Sequence, residues 1–147
     1  MPGRDGVSSH NLRLVGSAAI GSNQALTAFG AVINTQDHDS GIGFYVGLSA
    51  FTDGVFTADV QTADDASFTQ NVETLTSEHI VEQPTVPVAI ANAALTAGVT
   101  NMTRIGVHST RKFVRLRIAA ASVTSGATVL ALALMKTDLS PSGARIN

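Results

Sequence analysis

An all-β, two-sheet sandwich of about eight or nine short strands is the fold this sequence predicts, and three observations carry the prediction. The 147-residue chain is 44% apolar, enough for one domain with a real hydrophobic core. Apolar and polar residues alternate with a period of two over several segments, as half-buried strands require. Turn residues recur at roughly the ~8–12-residue spacing of a sandwich. Charged residues make up only 14% of the chain, against roughly 25% in an average soluble domain. Ala, Thr, Ser and Gly take their place.

The elements are read in chain order. Residues 1–24 are rich in Gly, Ser, Asn and Ala, with Leu12-Arg13-Leu14-Val15 as their one alternating piece. So little apolar surface repays ordering poorly, and the segment is read as an extended N-terminal arm. Leu26 to Ile33 is apolar and β-branched enough for a strand, and Asn34 to Gly41 is a polar turn cluster. Phe44, Val46, Leu48 and Ala50 then alternate with Tyr45, Gly47, Ser49 and Phe51. Asp53-Gly54 follows, and Phe56, Ala58 and Val60 alternate with Thr57, Asp59 and Gln61. Asp-Gly between two alternating runs predicts a hairpin.

Phe68–Leu75, Glu78–Glu82, Val86–Ile90 and Met102–Val107 are further strand candidates. Pro84 and Pro87 confine their region to edges and connections, and Ala89–Leu95 is the one place for a short helical turn. A second hairpin is predicted near the end of the chain. Val114, Leu116 and Ile118 face away from Phe113, Arg115 and Arg117, and Thr124-Ser125-Gly126 turns the chain into Val129–Met135. In that run Leu130, Leu132 and Leu134 share one face, while Ala131 and Ala133 leave room on the other. The two turns, 52–54 and 124–126, echo each other. The expected organisation is an arm over 1–24, a sandwich over 25–138 and a C-terminal tail over 139–147.

The absence of cysteine excludes disulfides, Cys-ligated zinc and thiol catalysis. The longest apolar run, Val129–Met135, is far short of the ~18 residues of a spanning helix. The first residues lack the apolar stretch of a secretory signal, so the reading is a soluble chain made in the cytoplasm. Residues 1–100 hold ten acidic and two basic residues, a net −8, and residues 101–147 hold seven basic and one acidic, a net +6. Intermixing of the two sets across neighbouring strands is expected.

Asp37-His38-Asp39 with Gly41 has the alternating carboxylates of a calcium loop without its further ligands or closing Glu, so a solvated turn is expected. His10, His79 and His108 lack His-Glu-x-x-His spacing. Glu78 and His79 diverge on an extended chain, and Asp64-Asp65 reads as a polar turn. No Gly-x-Ser-x-Gly elbow, phosphate loop or dinucleotide motif is present. Arg111, Lys112, Arg115 and Arg117 form the one basic cluster. With few aromatics and an acidic chain, this cluster is expected to pair with Asp59, Glu73 or a neighbouring subunit rather than bind nucleic acid. No catalytic, cofactor-binding or metal-binding residue is expected, nor a nucleic-acid or membrane partner.

Thr52-Asp53-Gly54-Val55-Phe56-Thr57-Ala58-Asp59-Val60-Gln61, followed by Asp64-Asp65 and Phe68, resembles a pattern of small tailed-phage virion proteins. Arg111–Ile118, then Val123–Thr128 and an apolar strand, resembles the ending of such proteins. The resemblance spans roughly residues 35–136 and rests on strand-and-turn patterns, not on a chemical signature. It implies a jelly-roll-like two-sheet β-sandwich of about eight strands with an extended N-terminal arm. It also implies a non-enzymatic cement or decoration protein on the outer capsid surface, made in the host cytoplasm, with the major capsid protein as partner. Such proteins commonly self-associate, with a trimer favoured.

A clamp of this kind often uses an arm that orders on a neighbour. Leu12, Leu14 and Val15 are the expected anchors, with Arg4 and Arg13 as charge contacts and Arg115 and Arg117 on the basic strand. The alternatives are a neck, tail or baseplate component, or a carbohydrate-binding sandwich, for which exposed aromatics are few. A hydrolase would need His38, His79 or His108 beside a shared carboxylate and serine.

Overall fold

The computed structural model describes residues 10–35, 38–81, 85–92, 94 and 102–137. Ten strands and no helix occur among them: β1 (His10–Ile20), β2 (Gln24–Asn34), β3 (His38–Phe51), β4 (Val55–Ala63), β5 (Glu73–Thr74), β6 (Ile80–Val81), β7 (Val88–Ala89), β8 (Thr103–Val107), β9 (Phe113–Ala121) and β10 (Ala127–Thr137). Sheet A has the order β1-β10-β3-β8-β6. Sheet B has the order β2-β9-β4-β5, with β7 on the same edge of β4 as β5.

Pairing is nested and antiparallel. β1 pairs β10, β2 pairs β9, β3 pairs β8 and β4 pairs β7. The chain is thus one long hairpin rolled up, with β10–β3 and β9–β4 pairings closing the roll. This is the jelly-roll arrangement, in which successive long strands alternate between two packed sheets.

The inward faces follow the period-two pattern. Phe44, Val46 and Leu48 of β3 and Val129, Ala131, Ala133 and Met135 of β10 line the inside of sheet A. Phe56, Ala58 and Val60 of β4 and Val114, Leu116 and Ile118 of β9 line the inside of sheet B. All belong to one continuous core. Burying each larger side chain contributes about 1.5–3 kcal/mol, so the two layers hold one another through this seam.

Several expectations change. The predicted arm is a strand from His10 onward, because β1 pairs with β10 along its whole length, from His10 opposite Lys136 to Ile20 opposite Ala127. Its residues are short of core side chains because an edge strand of a sandwich needs few. Val15 is such a core side chain, 5% exposed, and not a free anchor. It is the extra residue of a bulge between Leu14 and Gly16, and bulges re-aim side chains in this way. Arg4 and the tail over 139–147 lie outside the described residues. The domain boundary expected at 24–25 therefore falls inside the sandwich.

Neither predicted hairpin is one. β3 lies in sheet A and β4 in sheet B, and β9 and β10 are split likewise. Both turns carry the chain across the core. Of the candidate strand Phe68–Leu75 only Glu73–Thr74 is extended, and the expected helical turn is replaced by β7 and an isolated bridge from Ala94 to Leu48. The polar cluster before Gly41 is shorter than expected, since β3 already begins at His38.

Candidate interaction surface

The two outer faces of the sandwich differ in kind. On sheet B, register places Asp59 opposite Arg117 and Gln61 opposite Arg115, and opposed residues share a face. Arg117 donates from Nε to Asp59 Oδ1 at 2.8 Å and from Nη2 to Asp59 Oδ2 at 2.6 Å. A third bond from Nη2 reaches Thr74 Oγ1 at 3.1 Å. The Asp59 side chain is only 3% exposed, so this two-pronged pair compensates a carboxylate taken out of water.

Arg115 donates twice to Gln61 Oε1, at 3.0 and 2.6 Å, and its guanidinium lies 4.1 Å from the centre of the Phe68 ring. Arg111 reaches Asp64 at 3.3 Å and Glu73 at 3.4 Å. The acidic and basic halves of the sequence are thereby intermixed, as expected. Arg115 and Arg117, predicted as protein contacts, are occupied within the chain.

The segment after β4 is fastened over this face by its own hydrogen bonds. Asp65 accepts from the backbone N–H groups of Thr69 and Gln70 and from the Thr69 hydroxyl, at 2.8–2.9 Å. These bonds, that from Gln70 foremost, hold its carboxyl below the ordinary range. Asp64 is lowered as well, chiefly by the Asn71 side chain and then by Arg111. The pair is the polar turn the sequence suggested. Phe68 is brought down onto the sheet, 8% exposed.

Sheet A turns leucine outward. Ala127, Val129, Ala131, Ala133 and Met135 are buried, so the alternating Leu130, Leu132 and Leu134 face away from the core and are half-buried. Register sets Leu14, Leu132, Tyr45 and Arg104 side by side in one row across four strands. The next row is Leu12, Leu134, Gly43 and Gly106. Leu12 and Leu14 are 66% and 58% exposed. The Tyr45 ring leans over Gly43, and the Arg104 guanidinium carbon lies 5.9 Å from its centre. Three strands, β1, β10 and β3, therefore carry an apolar band, and Arg104 of β8 is the one charged residue in these two rows.

A residue missed in the sequence stands at the end where the crossing turns meet. Asp53 accepts hydrogen bonds from the backbone N–H groups of Thr124, Ser125 and Gly126, the shortest 2.6 Å from Gly126. Its carboxyl is held below the ordinary range by these donors, Gly126 first and Ser125 next. Asn23 Oδ1 accepts from Val123 N–H at 2.9 Å, tying in the turn between β1 and β2. The turns at 52–54 and 124–126 are thereby docked on one another. A shallow depression of about 160 Å³ beside them is lined by Ile20, Thr52, Ser125 and Thr128 among others. That is below the ~300–1,000 Å³ of ordinary ligand pockets.

His79 and His108 are neighbours, the His108 N–H donating to the His79 carbonyl at 2.9 Å. The His79 ring Nδ1 lies 3.3 Å from Thr76 Oγ1. Among the described residues no group of three or more His, Asp or Glu side chains is gathered to hold a metal. The side chains of His10, His38 and Asp39 lie outside the described residues.

No protein-family model, no curated protein and no solved structure matches the chain.

Proposed function

We propose that the chain is a non-enzymatic structural protein of a tailed-phage virion, of the cement or decoration type, which reinforces junctions on the outer surface of a capsid. The apolar outer face of sheet A is the observation that supports this reading. A protein that works alone in water spends its polar residues on outward faces, and contiguous apolar patches mark contact with other macromolecules. Here Leu12, Leu14, Leu130, Leu132 and Leu134 are on the outside, while Ala127, Val129, Ala131, Ala133 and Met135 are on the inside of β10.

The resemblance of the strand patterns to small virion proteins is what supports the major capsid protein as partner, together with further copies of the chain. A trimer is the arrangement the resemblance favours. Repetition on a lattice multiplies weak contacts through effective concentration, so no single deep pocket is required. The protein needs neither nucleic acid nor a membrane in this role.

The test is addition of purified protein to shells that lack it. Binding to saturation with a raised shell melting temperature is expected. Shells that take up the protein without any gain in resistance to heat or chelation would exclude reinforcement. Uptake at a few positions per particle would instead assign it to the neck or tail.

A further inference from the structure

We infer that Asp53-Gly54 is a site of spontaneous covalent ageing, where the docking of two turns sets the rate and the completed reaction undoes the docking. Sequence, hydrogen bonding and backbone geometry each contribute.

The chemistry is intramolecular. The Gly54 backbone nitrogen attacks Cγ of a neutral Asp53 carboxyl group and a C–N bond forms. The carboxyl hydroxyl leaves as water, taking the proton of that nitrogen, and a five-membered cyclic imide remains. Water then opens the ring at either carbonyl, breaking one of its two C–N bonds. Opening at Cγ restores aspartate. Opening at the former main-chain carbonyl leaves isoaspartate, with the backbone routed through Cβ and Cγ. The overall change conserves mass and needs no further reactant. Glycine favours the attack because it sets no Cβ beside the attacking nitrogen. The dipeptide occurs at 5–6 and 53–54, and the second lies among the described residues.

The fold retains this labile pair because it uses both members. Asp53 accepts from the backbone N–H groups of Thr124, Ser125 and Gly126, at 3.1, 2.9 and 2.6 Å. Gly54 has a φ of +106°, and a Cβ there would lie 2.7 Å from Val123 Cγ2 and 3.2 Å from the Phe56 ring. A bulkier residue, which would slow the attack, is thereby excluded.

The same contacts restrain the reaction. Both carboxylate oxygens of Asp53 are engaged by the 124–126 backbone. A carboxylate held this way stays ionised, and the ionised form is a poor electrophile. The main chain is tied as well, the Gly126 carbonyl accepting from Thr52 N–H at 2.9 Å and from Asp53 N–H at 3.4 Å. Attack therefore waits for the turns to part, a local opening. Asn23 restrains that opening through its bond from Val123 N–H. In isoaspartate the free carboxylate sits directly on Cα and the main chain is one methylene longer. The three bonds to residues 124–126 cannot then be remade in their former geometry.

Isoaspartate at position 53, followed by peptide mapping with electron-transfer fragmentation, tests this in the purified full chain incubated at mildly acidic pH. The peptide Ser49–Ala58 in the same buffer, with and without urea, gives the undocked rate. The folded chain is expected to react about tenfold or more slowly than the peptide, and the chain in urea at the peptide's rate. Asn23→Ala, still folded, is expected to react about threefold or more faster than the wild type. Chain aged in urea and refolded is then heated, and isoaspartate at 53 is expected to be concentrated in the molecules that unfold first, about 5 °C or more below the rest. A folded chain that reacts as fast as the peptide would overturn protection by docking. An unchanged rate in folded Asn23→Ala would exclude parting of these turns as the controlling step. Isoaspartate spread evenly between early- and late-unfolding molecules would overturn the loss of the latch.

Discussion

Single side chains decide how firmly the outer face of sheet B is closed. Asp59 is buried and charged, and its compensation is the two-pronged Arg117 together with the bond from Arg117 to Thr74. Arg117→Met should therefore cost about 3 kcal/mol in denaturant unfolding, because it strands a buried carboxylate. Replacing Asp59 and Arg117 together by apolar residues should cost less than the single change, a non-additivity that a double-mutant cycle reads directly. Asp53 acts differently, as a half-buried latch between turns. Its folded pKa lies below the ordinary 3.8, as do those of Asp64 and Asp65. The stability these carboxylates contribute is therefore complete above about pH 4 and lost as pH falls through their folded values. Unfolding measured from pH 7 to pH 2 should show that acid limb, and Asp53→Asn should make it shallower. A limb of unchanged steepness would remove Asp53 from the latch.

At the scale of elements, the strands were legible and their partners were not. The alternation in Phe44–Phe51, Phe56–Gln61 and Phe113–Ile118 marks strands correctly, because period two is a property of one strand beside one core. Asp-Gly after such a run signals a turn equally well whether the next strand pairs with the last or crosses to the other sheet. Only long-range register separates the two cases, and β3 finds its neighbours in β10 and β8. β1 was obscured because its inward positions include Gly16, where a Cβ would meet the Gly30 Cα and the Phe29 ring, both at 3.1 Å. Glycine there lets the edges of the two sheets close together. The same logic makes Gly126 a sensitive position: its φ is +84° and a Cβ would run into the Ile20 carbonyl oxygen. Gly126→Ala should destabilise the fold by more than about 2 kcal/mol. The apolar outer face of sheet A was half legible. Leu12 and Leu14 were singled out in the sequence, and both are exposed. The outward turn of Leu130, Leu132 and Leu134 was not foreseeable, since alternation alone does not say which face is inside.

The described residues form a roll whose first strand, β1, pairs with its last, β10. Removal of residues 1–24 should abolish cooperative unfolding altogether, because it uncovers β10 along its full length. An arm dispensable for folding would leave the melting transition intact, and circular dichroism of the truncated chain distinguishes the two. In the same rolled body one outer face is fastened by its own polar network and the other carries leucine. That asymmetry is what supports the proposal of adhesion as the work of this protein. High-resolution imaging of the assembled particle tests it most directly, by locating what lies against Leu132. A polypeptide chain packed over the leucine band is the expected result, and a band facing open solvent in the working assembly would contradict the account.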